Sequence, residues 1–303
     1  VDRLETMALL LKAVEAGSLS AAGRSLGLPL ATLSRKISDL EAHLGARLLI
    51  RSARRLELTD AGRSYALACK RILEEVDDAE RAAGGEYRAP KGELTITAPI
   101  VFGRLHGAPV IAEFLKAYPE IDVRLLLGDR IVSLVEDRVD LAIRIGDLPD
   151  SSLVARRIGA VRRVICASPA YFAARGAPLR PEDLSAHDCI SFEAMTSSTQ
   201  WRFGAGKARQ SVPVHSRFVV NTAEAAIEAA IAGVGLTCVL SYQAARALAD
   251  GSLALALEDF EPPPSPVNLV HAGEHVAPLK LRAFLDFAAP RLRDRLALAA
   301  PPA

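Results

Sequence analysis

The chain has 303 residues, 50% of them hydrophobic and 24% charged, with a formal net charge of +1; this supports two folded domains and excludes a disordered chain. No run of about eighteen uncharged apolar residues occurs, and the opening "VDRLETMALLLKAVEAG" mixes acids and bases at a helical period, so neither a membrane span nor a secretory leader is expected and the chain reads as cytoplasmic. Cys69, Cys166, Cys189 and Cys238 are scattered, with no C-x-x-C pair and no histidine at ligand spacing, so buried thiols are expected rather than a disulfide framework, a metal site or a cofactor.

In chain order, Leu4, Met7, Leu11 and Val14 recur at a helical period that Gly17 stops, which predicts a first helix. In "SLSAAGRSLG" either Ser18 or Ser20 caps a second helix of about two turns, ending at Gly27, whose small residues let another helix approach closely. After the turn "GLP", Leu30, Leu33, Ile37, Leu40 and Leu44 mark a third helix closed by Gly45; with that stripe buried, Thr32, Ser34, Arg35, Lys36 and Asp39 lie on or beside the outer face. Two short helices joined by a tight turn, the second carrying hydroxyls and a guanidinium, suit reading of a DNA major groove. The strand-like runs Leu48 to Ile50 and Leu56 to Thr59 flank the basic tip "RSARR", a wing for phosphate or minor-groove contact. Charge concentrates here: residues 21 to 55 hold seven basic side chains against two acidic ones, an excess of five in a chain whose total is +1. A merely solvated charged face would show the same excess, but not the same succession of elements.

These stretches, "GSLSAAGRSLGL" and "LSRKISDLEAHLGARLLIRSARRLELTDAG", together with "DLAIRIGDLPDSSLVARRI" and "ICASPAYFAARGAP" further on, resemble the LysR-type transcriptional regulators over nearly the whole chain. The resemblance implies a winged helix-turn-helix DNA-binding domain over residues 1–59, a linker and dimerisation helix with hinge over 60–91, and a two-lobed α/β effector-binding domain over 92–303. That last domain is similar to periplasmic solute-binding proteins, with lobe I about 92–163 and 267–303 and lobe II about 164–266. Ser18, Ser20, Leu30, Thr32, Ser34, Arg35, Lys36, Arg51, Arg54 and Arg55 are the candidate DNA contacts. One departure concerns the recognition helix, which in many members opens Ser-Gln-Pro-Ala; here Pro29, Leu30, Ala31 and Thr32 stand there, so Leu30 replaces a glutamine suited to base contact.

In "TDAGRSYALACKRILEEVDDAERAAGG", Thr59 or Asp60 caps a long helix on which Tyr65, Cys69, Ile72, Val76, Ala79 and Ala83 form a heptad seam. That stripe either pairs with a second chain or packs on the chain's own domain. The resemblance implies pairing into a homodimer, commonly assembled further into a homotetramer. Two paired heads would read double-stranded DNA as an interrupted palindrome with half-sites about 34 to 36 Å apart; RNA polymerase is a further partner of such a regulator.

After the hinge "GGEYRAPKG" the pattern becomes alternating strands and helices: "ELTITAP", "LHGAPVIAEFLKAYPE", "IDVRLLLGD", "RIVSLVEDR" (a helix) and "VDLAIRIG", followed by a second block of the same kind. It predicts a parallel, doubly wound sheet in each of two lobes with a ligand crevice between them. Thr97, Ala98, Pro99, Ile100 and Val101 fall at a strand end and helix start, Asn221 and Thr222 at another helix start, Arg144 and Gly146 at the end of the third strand, and Trp201 beside the crevice. Helix starts and a guanidinium together suggest a small, anionic carboxylate effector; helix capping, a structural salt bridge and core filling are the ordinary roles of the same residues. No nucleophile elbow, phosphate-binding loop, dinucleotide fingerprint or H-E-x-x-H helix occurs, so no enzyme is expected. A solute receptor without operator specificity is one alternative. A redox switch through Cys166 and Cys189 is another, although only Cys166 follows basic residues, Arg162 and Arg163.

Overall fold

A computed structural model of the chain describes residues 2–51, 56–83, 89–130, 133–134, 137–148, 153–193, 200–206, 209–273 and 277–298. The chain divides into two compact units, Val1–Arg88 and Ala89–Ala303.

The first unit runs α1 (Arg3–Glu15), α2 (Leu19–Leu26), α3 (Leu30–Leu44), β1 (Leu49–Arg51), β2 (Leu56–Leu58) and α4 (Asp60–Ala83). Asp2 caps α1 through its carboxylate, and Ser18 rather than Ser20 caps α2, its Oγ accepting from the Ala21 amide at 3.1 Å. Gly27 and Gly45 end α2 and α3 in the left-handed conformation. The core joins Leu9, Leu10 and Ala13 of α1 with Ala22, Leu33, Ile37 and Leu40, closed beneath by Leu48 and Leu49. The α1 period is as expected, but its inward line is Thr6, Leu9, Leu10 and Ala13 rather than Leu4, Met7, Leu11 and Val14, because this helix packs against α2, α3 and α4 at once. The α3 stripe is likewise buried only at Leu33, Ile37 and Leu40; Leu30 and Leu44, at the ends, are exposed.

The wing strands pair antiparallel, Leu49 opposite Leu58 and Arg51 opposite Leu56. Glu41, one of the two acids in the basic stretch, holds the wing: its Oε1 accepts from the Leu48 and Leu49 amides at 2.7 and 3.0 Å. The Thr59 hydroxyl accepts from the Gly62 amide at 2.9 Å and donates to the Arg47 carbonyl, capping α4 while fastening it to the wing.

The second unit contains two five-stranded sheets. Its elements in order are β3 (Gly92–Ala98), α5 (Ile100–Phe102), a π-helical turn (Gly103–Gly107), α6 (Ala108–Ala117), β4 (Ile121–Leu127), β5 (Leu141–Ile145), β6 (Leu153–Val161), β7 (Arg163–Ala167), α7 (Pro169–Arg175), β8 (Asp188–Phe192), β9 (Gln200–Phe203), β10 (Gln210–Pro213), β11 (His215–Val220), α8 (Ala223–Ile231), β12 (Leu236–Leu240), α9 (Ser241–Ala249), β13 (Ala254–Ala256), β14 (Ser265–Ala272) and α10 (Leu279–Leu298). Lobe I has the strand order β4-β3-β5-β14-β6 and lobe II the order β11-β8-β12-β7-β13. Neither sheet is wholly parallel. In each, four strands run one way and a single strand, β14 in lobe I and β7 in lobe II, runs against them, the strand by which the chain enters that sheet from the other lobe. The segment 130–138 was expected to be a helix; its described residues Ser133, Leu134, Asp137 and Arg138 form a turn, which Arg138 leaves with φ 55°. A single core runs through both lobes, from Phe114 and Phe284 to Val239 and Tyr242.

Gly62 shows how closely α4 lies on the wing: a Cβ there would stand 1.9 Å from the Leu48 carbonyl oxygen, and a backbone atom cannot yield as a side-chain tip does. Gly62→Ala is expected to destabilise the first unit by about 1–3 kcal/mol, read as a lowered urea midpoint of its unfolding transition.

Candidate DNA-reading head and interlobe cleft

The buried stripe of α3 leaves Arg35 exposed and Thr32, Ser34 and Lys36 half-exposed on the opposite side. No side chain caps the start of α3 at Pro29, so its first-turn amides keep the partial positive charge that favours a phosphate. Leu30, 50% exposed, is an apolar contact of the kind a thymine methyl accepts. Lys36 Nζ is paired with Glu5 Oε2 of α1, so this cation is partly neutralised within the head. Ser18 is engaged as a cap and lies 3.3 Å from the Ser20 hydroxyl, while Ser20 is exposed. Arg54, Arg55 and the side chain of Arg51 lie outside the described residues.

The expected seam of α4 divides. Cys69 is fully buried and Tyr65 packs against the head's own core, so Cys69 belongs to its own domain and is not offered to a second chain. Burial also raises the Cys69 and Tyr65 pKa values. Further along, Ile72 is 37% exposed and Val76 half-buried; the side chain of Ala79 lies outside the described residues.

In the second unit the two expected helix starts face each other across the lobes. Arg104, in the π-helical turn after α5, reaches Glu224 in the first turn of α8 at 3.4 Å, and the Phe102 and His106 rings stand 5.6 and 5.5 Å from Tyr242 of α9. Thr97, Ala98 and Val101 are buried, Pro99 and Ile100 half-buried, and Asn221 exposed; Thr222 caps α8, its Oγ1 accepting from the Ala225 amide.

The helix start at Ile100 does not await an outside anion: its amide donates to Asp129 Oδ1 at 3.2 Å. Burial raises the Asp129 pKa, and the nearby Glu224 raises it further. Asp129 escaped the sequence reading, though its position was legible, since "LLLGD" ends the strand beside β3 and therefore opens on the same crevice. Arg144 is half-buried, which lowers its pKa, and it has a partner of its own. Gly146 adopts φ 112° and its amide donates to the Pro266 carbonyl at 2.9 Å, a joint between strands. Trp201 is 1% exposed in the lobe II core with Phe203 and so fills the core rather than walling the crevice.

His106 is buried, and no hydrogen-bond partner meets its Nε2; burial and the Arg295 guanidinium hold its pKa down to about 4. Cys166 lies in the core shared by the lobes and Cys189 in the separate lobe II cluster, and burial pushes both thiols up to about 12. Protonated thiols in different cores are poor partners for a switch. Among the described residues no group of histidine, cysteine and acidic side chains is placed to hold a metal ion, and no helix is long and apolar enough to cross a membrane.

A second recess, of about 410 Å³, opens where the chain crosses between lobes, with Arg163, Arg202, Arg209 and Asp147 among its lining.

A winged helix-turn-helix joined in one chain to a two-lobed α/β domain defines a ligand-responsive class of DNA-binding regulator. Comparison with known proteins agrees: residues 4–63 match the bacterial regulatory helix-turn-helix protein, lysR family, and residues 88–293 the LysR substrate binding domain. An HTH-type transcriptional regulator of Xanthomonas campestris is 38% identical over 94% of this chain and 84% of its own. The transcriptional activator AaeR of Escherichia coli is 32% identical over 94% and 93%, and an HTH-type transcriptional repressor of Pseudomonas aeruginosa 34% over 95% and 91%. Among solved structures, CrgA of Neisseria meningitidis, a LysR-type transcriptional regulator, superposes with a TM-score of 0.61 at 30% identity, covering 95% of this chain and 98% of its own. The chain belongs to the LysR family of transcriptional regulators.

Two expectations follow. Glu5→Gln frees Lys36, so DNA binding should tighten at low salt and the slope of log K against log salt should steepen by up to about 0.9, the value of one phosphate contact; an unchanged slope in a salt titration would mean that Lys36 never reaches the backbone. For His106, with its folded pKa of about 4 below the ordinary 6.5, the unfolded chain binds the extra proton. Stability from this group is therefore intact above pH 7 and is lost as pH falls from about 6.5 to 4, by about 3 kcal/mol at most. His106→Phe should remove that part of the acid sensitivity in denaturation measured across this window.

Proposed function

We propose that this chain binds an interrupted palindromic operator as a homodimer and that a small molecule held between the two lobes alters that binding. The observation that carries the reading is the outward face of α3: Arg35 exposed, with Thr32 and Ser34 beside it, opposite a stripe whose burial fixes the helix's rotation. Arg is the commonest reader of guanine edges, and hydroxyls accept either strand's donors. Leu30 adds an apolar contact where a glutamine is often found in the family, which shifts the preferred base at that position toward thymine. Ile72 and Val76 are the part of the α4 seam that favours pairing with a second chain; assembly into a tetramer and contact with RNA polymerase would build on that dimer. Relatives include an activator and a repressor, so the fold by itself does not set the direction of regulation.

For the effector, the interlobe location is favoured by the facing starts of α5 and α8. A small carboxylate seated on the Ile100 amide is disfavoured, because Asp129 already occupies it. The remaining reading, a receptor without operator specificity, predicts weak, sequence-blind and strongly salt-dependent DNA binding.

Selection of bound duplexes from a random pool at physiological salt separates the two. The expected result is enrichment of an interrupted palindrome with half-sites about one helical turn apart; no enrichment would favour the receptor. On the enriched site, Arg35→Ala should cost about 1–3 kcal/mol of discrimination against the wrong base at one position per half-site, whereas Arg51→Ala or Arg54→Ala should weaken all DNA alike and flatten the salt slope. Discrimination that survives Arg35→Ala would place the reading side chains elsewhere on α3.

A further inference from the structure

The recess at the lobe crossing is built differently from the contact between the lobes near Ile100. Arg162 and Arg163 are consecutive where the chain passes from β6 into β7, so their side chains take opposite sides. Arg162 is consumed by the fold: Nε and Nη2 meet both Glu261 oxygens at 2.7 and 2.8 Å, and Nη2 meets Glu258 at 3.0 Å, stapling the outgoing segment to the returning one. Arg163, which also has a partner of its own, lines the recess, where Arg202 and Arg209 of the β9–β10 hairpin join it.

Strand alternation places Trp201 and Phe203 in the lobe II core and turns Arg202 to the open side. The Gly204 amide donates to the Phe260 carbonyl at 2.9 Å, tying this hairpin to the returning segment and so fixing where its guanidinium groups stand. Pro262, Pro263 and Pro264 form a wall with little backbone freedom, and Ser265 adds a hydroxyl. Among the described residues the lining includes three arginines and one acid, Asp147, and it draws on both lobes. The volume, about 410 Å³, lies within the range of small-molecule sites.

We propose that this recess binds a multiply charged oxyanion, a polycarboxylate or a phosphorylated small molecule, held by Arg163, Arg202 and Arg209 through charge-assisted hydrogen bonds. The inference rests on the reading of a ligand-responsive regulator and supplies the chemistry of its ligand. Arginine forks around one recess match the oxygens of a carboxylate or phosphate better than any neutral ligand. Because the walls come from both lobes and from the crossing between them, an anion seated there opposes separation of the lobes.

The test is calorimetric titration of the full chain with citrate and, separately, with pyrophosphate, at ionic strength matched with sodium chloride. Trp201, the single tryptophan of the chain and the neighbour of Arg202, gives a second readout through its fluorescence. Saturable binding of either probe is expected, and the probe that binds tells a polycarboxylate from a phosphate ligand. Arg202→Ala combined with Arg209→Ala, both exposed positions that the fold does not need, should weaken binding at least ten-fold. Asp147→Asn should tighten it, an opposite sign that a damaged fold would not produce. No saturable heat with either probe, or equal affinity in the double variant, would overturn the proposal. Operator selection with the same preparation keeps the two readings apart: loss of specific DNA binding with anion binding intact would refute the regulator and leave the site standing.

Discussion

Burial of Leu33, Ile37 and Leu40 against α1 is the interaction on which the head depends. These side chains contribute about 1.5–3 kcal/mol each when removed from water, and, being spaced along one helical face, they also set the rotation of α3 about its axis. Rotation is what a reading helix must have fixed, since a turn of one residue would carry Arg35 away from the exposed side and put Ser34 or Lys36 in its place. The surrounding hydrogen bonds serve the same constraint: Ser18 starts α2, Gly27 closes it, and Glu41 holds the wing strand at a set distance from the end of α3. One acid in a basic stretch thus has a structural duty, and it lies where its charge is spent on backbone amides rather than repelling a phosphate.

In the second unit the governing feature is the double passage of chain between lobes. The strand by which the chain enters each sheet from the other lobe, β7 in lobe II and β14 in lobe I, runs against its neighbours, which is why both sheets are mixed. The Arg162 fork on Glu258 and Glu261 ties the two passages together. Around this joint the lobes meet in two chemically distinct places. On one side Phe102, His106 and Tyr242 pack ring against ring, with Asp129 and Glu224 close by, and burial together with the Arg295 guanidinium depresses the imidazole's basicity. On the other, guanidinium groups gather around an open recess. This chain therefore brings an aromatic contact between the lobes and an arginine-lined recess into the same domain.

Much of this was legible before any coordinates. The helical periods, a serine cap for α2 at Ser18 or Ser20, the stops at Gly27 and Gly45 and the basic excess of residues 21–55 all rest on contacts within a few residues, which local patterns record. What was misread depends on partners distant in sequence. The inward line of α1 shifted because three helices press on it, and Cys69 turned inward because α4 begins against the head. Strand β6 was overlooked: its two arginines and exposed alternation mark a sheet edge, held by β14 more than a hundred residues later. The anion expected at Ile100 was replaced by Asp129, a residue 29 positions away that no local rule attaches to that amide.

The sequence by itself determined the order of the elements, the charge of the head, the family, and which residues stand at strand ends and helix starts, because spacing, capping and composition act along the chain. Only the tertiary structure decided where each of those side chains goes. Arg162 and Arg163 are adjacent and chemically identical, yet one is locked to two glutamates while the other lines a recess. That division follows from strand pleating and from the return of the chain at residues 258–265, a through-space encounter that a one-dimensional pattern does not carry.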